Sequence, residues 1–287
     1  MYDLNKSPMG IYEKALPNWM NWEEKLNAAK EAGFDYLEIS VDESDERLSR
    51  LDWSKEERRN LKNLIDETGI LIPSMCLSGH RRFPLGSENE ETRKKAFEIM
   101  KKAIEFSVDT GIRIIQLAGY DVYYEEANEK TKALFIEGLR QAISWASKAG
   151  VMLAVEIMDT EFIGTILKAL PYVREFNSPW FKIYPDLGNI TQWSNDVPTE
   201  LEVGLEHVVA IHVKETLPGK FKCVPFGQGT VDFKGLFNRL KEIGYNGPFM
   251  IEMWSDNKKV STEEVVKEIK NARIWVEERM KEGGFCA

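Results

Sequence analysis

Short apolar runs alternate with longer amphipathic segments along the chain, and a glycine stands at several junctions where an apolar run begins. Glycine is common just past the end of a helix because it adopts the left-handed backbone conformation freely. The junction recurs at Gly33, Gly69, Gly111, Gly150 and Gly244. The first spacings, 36 to 42 residues, fit one helix, one strand and their loops, and the last gap holds two such units. This repetition predicts a parallel sheet with helical crossovers.

The apolar runs predict eight strands. They are Met9–Tyr12, Tyr36–Ile39, Leu71–Leu77, Ile112–Leu117, Met152–Glu156, Phe181–Tyr184, Val208–His212 and Phe249–Glu252. Helices are expected between them, and Ser54 with Glu57 forms the capping box of one that continues through Leu61 and Ile65. No segment rich in glycine, proline or serine divides the chain. Residues 1–287 are therefore predicted to form one domain of the α/β class, a single (β/α)8 TIM barrel.

Four of the predicted strands end on a side chain that is costly to bury. Glu156 closes the run M-L-A-V-E, Asp186 closes F-K-I-Y-P-D just after the sixth predicted strand, and His212 and Glu252 close the last two strands. An unpaired charge at the edge of a core is unfavourable, so its recurrence indicates a function. Because the strands of a TIM barrel present their carboxyl ends at one face, we expect the four side chains to converge there. The alternative is that each of the four is a separate helix cap or salt-bridge partner. That explanation is reasonable for any one of them, but less so for four residues at successive strand ends.

Three carboxylates and one imidazole form a site of mostly oxygen ligands for a single divalent metal ion. This set favours Mn²⁺, Mg²⁺ or Co²⁺, and the histidine also admits Zn²⁺. Such an ion polarises a sugar carbonyl as a Lewis acid and favours loss of the neighbouring proton. Glu156 and Glu252 are the predicted catalytic pair, since they lie on opposite sides of the predicted barrel end. One removes a proton and the other returns it from the far face, which is epimerisation.

Several blocks of the sequence are similar to those of a known family. Examples are G-I-Y-E-K-A-L-P, P-S-M-C-L-S-G-H-R-R-F-P-L-G-S, Y-P-D-L-G-N, V-P-F-G-Q-G-T-V-D-F and I-E-M-W-S. They resemble the L-xylulose-5-phosphate 3-epimerases of L-ascorbate utilisation, also called L-ribulose-5-phosphate 3-epimerases, over essentially the whole chain. The resemblance implies a xylose-isomerase-like barrel that interconverts L-ribulose 5-phosphate and L-xylulose 5-phosphate, and a homodimer. It also implies that Glu156, Asp186, His212 and Glu252 bind the metal.

Two positions depart from the wider group of ketose 3-epimerases that act on free sugars. Those relatives carry a histidine three residues after the metal aspartate, where this chain has Asn189, and an arginine after the metal histidine that has no counterpart here. Both differences disfavour a free sugar as substrate. Gln228 stands where close relatives are expected to carry glutamate, and the sequence assigns it no effect.

A phosphate group requires cationic forks and small hydrogen-bond donors. Two predicted loops at the carboxyl face offer them, and the resemblance points to the same loops: Arg47, Ser49 and Arg50 after the second strand, and His80, Arg81 and Arg82 after the third. Pairing of these cations with Asp42, Glu43, Asp45 and Glu46 in solvent is the alternative. Lys214 and Lys222 are weaker candidates. Glu38, in the second strand, has two open interpretations, a residue that orients metal ligands and a structural ion pair.

Composition narrows the function classes further. The chain is 43% hydrophobic and 30% charged, with a formal net charge of −9, which argues against a nucleic-acid-binding protein. It has neither a run long enough to span a membrane nor an apolar signal core in M-Y-D-L-N-K. The three cysteines, Cys76, Cys223 and Cys286, have no C-x-x-C spacing and are interpreted as reduced thiols. A cytoplasmic enzyme that takes a small sugar phosphate is expected.

Three alternatives remain open at this point. An aldose–ketose isomerase of hexulose phosphates would use the same ligands for chemistry at C1 and C2. An apurinic-site endonuclease can share the barrel, but only three histidines and the negative net charge argue against it. A sensor would bind the sugar phosphate without exchanging its proton.

Overall fold

The computed structural model describes residues 6–285, in which eight strands alternate with helices. The strands are β1 (Met9–Tyr12), β2 (Tyr36–Val41), β3 (Leu71–Leu77), β4 (Ile114–Ala118), β5 (Met152–Glu156), β6 (Phe181–Tyr184), β7 (Ile211–Val213) and β8 (Phe249–Ile251). All eight predicted strands are present, with shifts of a few residues at some ends. The outermost residues of the predicted domain 1–287, including Cys286, lie outside the described range.

Ten α-helices occur in the described residues. They are α1 (Trp22–Glu31), α2 (Asp45–Leu48), α3 (Lys55–Thr68), α4 (Glu90–Thr110), α5 (Glu129–Ala149), α6 (Ile166–Phe176), α7 (Leu187–Trp193), α8 (Val197–Gly204), α9 (Phe233–Glu242) and α10 (Thr262–Glu282). The predicted capping box of Ser54 and Glu57 begins α3, and Gly69 ends that helix with φ 76°. None of the helices in residues 6–285 is long and apolar enough to cross a membrane.

The sheet is parallel throughout and closes on itself at one seam. Hydrogen-bonded neighbours run in the order β6-β5-β4-β3-β2-β1-β8-β7. The two outer strands, β6 and β7, meet through isolated parallel bridges between Ile183 and Val208 and between Asp186 and His212. The predicted (β/α)8 TIM barrel is therefore confirmed. The seventh strand was predicted to begin at Val208, but ladder pairing with β8 begins only at Ile211, so His212 lies inside β7 and not at its end.

Alternate residues of each strand face the helices or the barrel interior. On β2, Leu37 and Ile39 pack in the main apolar core, while Glu38 and Ser40 belong to the opposite face of the same strand. The interior is unusually polar for a packed barrel, because buried Glu38 shares it with His212 at 0% and 1% exposure. The main core therefore supplies the stability that positions this polar interior.

A buried ion cluster joins the ends of β1 and β2. Glu13, fully buried, accepts hydrogen bonds from Nζ of Lys25 at 2.9 Å and from Nη1 of Arg50 at 2.6 Å. Nη1 of Arg47 is 2.8 Å from the same carboxylate, and the backbone N–H of Ser40 donates to it at 2.9 Å. Burial disfavours the charge, but Arg50 and Lys25 outweigh it and hold the pKa of Glu13 well below its usual value.

Glu13→Gln is expected to lower the free energy of unfolding by about 3–5 kcal/mol near neutral pH, because it leaves buried Lys25 and Arg50 without their counterion and Arg47 with Asp42 alone. A depressed folded-state pKa stabilises the protein above the usual glutamate value, and this contribution is lost as the pH falls. The difference in the free energy of unfolding between Glu13→Gln and wild type should therefore become smaller in acid. Urea unfolding near neutral pH and in acid measures both effects. Asp45→Asn, which removes the exposed partner of Arg82, is the control and should change little; an equal loss in both variants would contradict the prediction.

Candidate metal centre

Four ionisable side chains meet at the carboxyl end of the barrel. They are Glu156, Asp186, His212 and Glu252, and one potential ligand atom from each lies within 4.8 Å of the others. All four are buried, with relative exposures between 0% and 9%. Nδ1 of His212 lies 3.3 Å from Oε1 of Glu156, 3.5 Å from Oε2 of Glu252 and 3.8 Å from Oδ2 of Asp186. The convergence expected from the sequence is present.

Strand register and helix capping position these groups. Asp186 follows β6 and caps α7, where its Oδ1 accepts from the backbone N–H of Asn189 at 2.8 Å. That bond leaves Oδ2 to face the cluster. The seam bridge sets Asp186 beside His212, and the backbone N–H of Glu252 donates to the carbonyl of Val213 at 3.0 Å. The geometry of the cluster therefore follows from closure of the barrel.

The imidazole of His212 provides a test of whether a cation fits. Its Nε2 lies 3.2 Å from Oε1 of Glu38, and because an ionised carboxylate only accepts hydrogen bonds, Nε2 carries a proton. Nδ1 is buried, has no hydrogen-bond partner and faces three carboxylates. In the neutral ring, a lone pair there would point at other lone pairs. Burial alone lowers the pKa of His212, but its surroundings, including contacts with these carboxylates, outweigh burial and raise that pKa well above its usual value, so Nδ1 attracts a positive charge. A cation among these atoms removes that repulsion, so the donor set suits a metal ion.

Lys214 also enters the cluster, in a role that the sequence did not indicate. Its buried Nζ lies 2.8 Å from Oδ2 of Asp186 and 3.0 Å from Oε2 of Glu252. The ammonium group also lies 5.7 Å from the ring centroid of Trp254. The single ammonium group of Lys214 cannot compensate all three carboxylates, so the site keeps a negative charge that favours a bound cation. Lys214 therefore forms part of the charge balance of the site.

The two glutamates of the cluster have different electrostatic environments. Burial raises the pKa of Glu156 to about 7, and the nearby charge of Glu252 acts in the same direction. Burial has the same tendency at Glu252, but Lys214 and His212 outweigh it and lower its pKa well below the usual value. Carboxyl groups whose pKa values are pushed apart are suited to opposite roles in proton transfer.

The six candidate phosphate residues do not form one cluster. Arg47 and Arg50 are buried and bind Glu13. Ser49 and Arg82 line a groove between α2 and α4, in which Lys95 and Lys102 also lie. His80 is buried, with Nε2 3.1 Å from the carbonyl of Ala96, and burial lowers its pKa to about 4, so that it is neutral near pH 7. Their assignment to phosphate stays a prediction.

Arg81 is the candidate whose surroundings connect with the carboxylate cluster. Its guanidinium lies 4.6 Å from the ring centroid of Tyr123 and 3.6 Å from Glu43. Burial raises the pKa of the neighbouring Tyr120, Arg81 opposes this shift and Glu156 adds to it. The hydroxyl of Tyr120 and Nε of Arg81 are buried without a hydrogen-bond partner. Tyr120 also packs against Ala118, which pairs with Glu156 in the sheet, so the ends of β4 and β5 bring Tyr120 to the side of the barrel that carries Glu156.

The charge pairs that the sequence offered as an alternative are partly present. Oδ2 of Asp42 lies 3.6 Å from Nε of Arg47, and Oδ1 of Asp45 lies 2.6 Å from Nη1 of Arg82. Lys222, the other weak phosphate candidate, lies 3.8 Å from Oδ2 of Asp159. Local pairing thus accounts for some of these loop charges, but the buried partner of Arg47, Glu13, was not anticipated.

A cavity of about 370 Å³ opens beside the cluster. Its walls include Lys214, Glu252, Trp254, Phe226 and Trp275. Trp275 belongs to α10 and Phe226 to the loop before α9, so neither could be placed here from local sequence. The cavity reaches the cluster through Glu252 and Lys214, and it is large enough for a small molecule. Gln228, in the same loop, is exposed, and the structure assigns it no contact with the cluster.

The model of the xylose isomerase-like TIM barrel family matches residues 26–278. The chain belongs to this family. It is 56% identical to an L-ribulose-5-phosphate 3-epimerase of Escherichia coli O1:K1 / APEC over 278 residues, which cover 97% of this chain and 96% of that protein. A protein of the same name from Shigella boydii serotype 18 is 57% identical over the same length.

Solved structures share the barrel at much lower identity. D-psicose 3-epimerase with D-fructose has a TM-score of 0.78 at 15% identity, covering 96% of this chain and all of the other. A structure of L-ribulose 3-epimerase has a TM-score of 0.75 at 19% identity, covering 96% and 95%. At these identities the likeness establishes the fold alone.

Isothermal titration of metal-free protein with Mn²⁺ should show one site, and Asp186→Asn should remove most of the affinity. Asparagine also caps helices well, so α7 is expected to persist in this variant. Asp159→Asn, which changes a nearby carboxylate outside the cluster, should bind as wild type does. Metal should stabilise the wild type by about 2.7 kcal/mol at a free concentration one hundred times its dissociation constant. Equal binding by Asp186→Asn and wild type would remove the basis for this site.

Proposed function

We propose that this chain is an isomerase that interconverts L-ribulose 5-phosphate and L-xylulose 5-phosphate by epimerisation at C3. The observation that carries the proposal is the convergence of Glu156, Asp186, His212 and Glu252 on one point. The Escherichia coli relative that bears this name matches almost the whole chain. Its name supplies the substrate, and the cluster supplies the chemistry.

We infer that Glu156, Asp186, His212 and Glu252 hold one divalent ion, whether Mn²⁺, Mg²⁺, Co²⁺ or Zn²⁺. When bound, this ion supplies a Lewis acid for the carbonyl and hydroxyl oxygens of the ketose. His212 contributes Nδ1, and the three carboxylates supply oxygens. Lys214 offsets part of their charge and orients Asp186 and Glu252.

The proton transfers are assigned to Glu156 and Glu252. Glu156 ends β5 and Glu252 follows β8, and these strands lie on different sides of the barrel, so each glutamate can face one side of C3. One carboxylate takes the proton from C3, the electron pair moves into an enediolate, and the other glutamate returns a proton to the opposite face. The carbon skeleton is unchanged and only the configuration at C3 is inverted.

We propose that the phosphate arm of the substrate extends toward Arg81. The phosphate is carried on C5, two carbons from the reacting centre, so its site has to be close to the cluster. The unpartnered Nε of Arg81 and hydroxyl of Tyr120 provide donors on that side. Arg47 and Arg50, held by Glu13, add positive charge behind β1 and β2, since three cations surround that one carboxylate.

The remaining expectations concern the cell and the assembly. We propose a cytoplasmic enzyme that acts on a small sugar phosphate, without a membrane or nucleic-acid partner, in keeping with the net charge of −9. Homodimerisation stays a prediction, which sedimentation of the purified protein measures.

The reaction is tested by incubating metal-loaded protein with L-xylulose 5-phosphate in D₂O. Deuterium should enter at C3, and L-ribulose 5-phosphate should accumulate. Label at C1 or C2, with an aldose product, would instead identify an aldose–ketose isomerase. Binding with neither exchange nor product would identify a sensor.

Glu156→Gln and Glu252→Gln should each lower kcat by about 10²- to 10⁴-fold, because each removes one of the two proton-transfer groups. Metal content is measured for each variant, so that loss of the ion is distinguished from loss of the base. Glu268→Gln, which alters another carboxylate of the cavity wall, is the matched control. A near-normal kcat in either cluster variant would contradict the two-glutamate scheme.

Arg81→Gln should raise KM for the phosphorylated ketopentose by about 10- to 100-fold, the value of one or two charge-assisted hydrogen bonds. Turnover of unphosphorylated L-ribulose should change little, so the preference for the phosphorylated sugar should narrow. Arg82→Gln makes the same substitution one residue away, where the side chain pairs with Asp45. A larger effect in Arg82→Gln than in Arg81→Gln would place the phosphate in the groove beside α4 instead.

A further inference from the structure

A carboxylate lies in the interior of the barrel, behind the proposed metal ligands. Glu38, on β2, is fully buried. Within residues 6–285 it has no lysine or arginine at ion-pair distance, and the histidine ring of His212 is its one potential cation. A buried carboxylate without a permanent counterion costs free energy. The fold retains one here, next to the cluster.

Three side chains from three other strands direct donors at Glu38. Ser74 on β3 donates to its Oε2 at 2.6 Å, and the Tyr184 hydroxyl on β6 donates to the same oxygen at 3.2 Å. Its Oε1 faces Nε2 of His212 on β7 at 3.2 Å. Ser74 and Tyr184 thus occupy one oxygen and fix the carboxylate, which leaves the other oxygen to the imidazole.

This arrangement determines which nitrogen of His212 is available to a cation. Because Glu38 accepts from Nε2–H, the lone pair of the neutral ring is on Nδ1, on the side of Glu156 and Glu252. The ring of Tyr184, 4.5 Å from that of His212 between centroids, packs against the imidazole and limits its rotation. A carboxylate behind a ligating histidine also increases the basicity of the ring.

We propose that Glu38 is a positioning residue for the metal site, held by Ser74 and Tyr184, which fixes the tautomer and orientation of His212. It touches no substrate in this scheme and acts only through the imidazole. The inference rests on the proposed function, because it presumes that the cluster binds a divalent ion. Of the two interpretations of Glu38 left open by the sequence, it selects the residue that orients metal ligands over the structural ion pair. It also adds Ser74 and Tyr184 to the site.

The test is calorimetric titration of metal-free protein with Zn²⁺. Glu38→Ala should weaken binding by about 10- to 100-fold, and Glu38→Gln should weaken it less, because its amide oxygen can still accept from Nε2–H. Tyr184→Phe should have a smaller effect. In the Glu38→Ala background, Tyr184→Phe should have no further effect on affinity, since both act through one carboxylate. Gln116→Met, at a buried interior position of β4, is the control and should bind as wild type does.

Nuclear magnetic resonance of the zinc-loaded protein provides a second readout. The chain has only three histidines, so the imidazole nitrogens of His212 can be resolved by comparison with His212→Gln. Wild type and Glu38→Gln should show Nε2–H protected from exchange, and Glu38→Ala should lose that protection. This distinguishes positioning from a general effect on stability.

The outcomes separate the two proposals. A wild-type protein that takes up no divalent ion would overturn the metal centre, and this inference with it. Wild-type uptake together with unchanged affinity and unchanged Nε2–H protection in Glu38→Ala would overturn the inference alone. If Glu38→Ala does not fold, the Zn²⁺ affinities of Glu38→Gln and Tyr184→Phe test the proposal instead. Affinities equal to wild type in both variants would contradict it.

Discussion

Closure of the barrel between β6 and β7 is the constraint on which the candidate site depends. Only isolated bridges join these strands, and one of them pairs Asp186 with His212. Because strand side chains alternate between two faces, a shift of one residue at this seam would turn His212 out of the barrel. Ladder pairing of β7 with β8 fixes the register from the other side. Closure of the sheet and the register of β7 therefore determine where the charged groups meet.

Bringing these groups together costs folding free energy. Three carboxylates lie within a few ångströms of one another, and Lys214 compensates only part of their charge. Stability alone would favour apolar residues at such positions, since buried charges seldom recover their desolvation energy. Glu13 shows the contrast, because its three cationic partners satisfy it and hold its pKa low. The charge of Glu13 is thus compensated within the protein, whereas the three clustered carboxylates keep a net negative charge that favours a bound cation.

The sequence predicted the features that follow from local pattern. Strand positions, helix caps and the convergence of the four candidate metal ligands each depend on a few neighbouring residues and on one rule about barrel faces. The contact of Lys214 with Asp186 and Glu252 was not predicted, because nothing in the sequence distinguishes a lysine two residues after His212 from any other lysine at a barrel end. The buried partner of Arg47 and Arg50 was not predicted, for a different reason. Arg47 and Arg50 had acidic neighbours in the sequence, but Glu13, more than thirty residues earlier, is their common buried partner, and a pairing over that distance is set by tertiary packing.

Glu38 shows which features the alternation of side chains along a strand can predict and which it cannot. Alternation on β2 places it on the inward face, but the same pattern is consistent with an ion pair or an orienting role. Distances decide between them, because the groups around its carboxylate are two hydroxyls and an imidazole. Two neutral donors fix a carboxylate without cancelling its charge, so the remaining negative charge acts on His212. A lysine beside Glu38 would have stabilised its carboxylate better, but it would have left the His212 ring free to turn. The incomplete compensation therefore suits Glu38 to orient a candidate metal ligand.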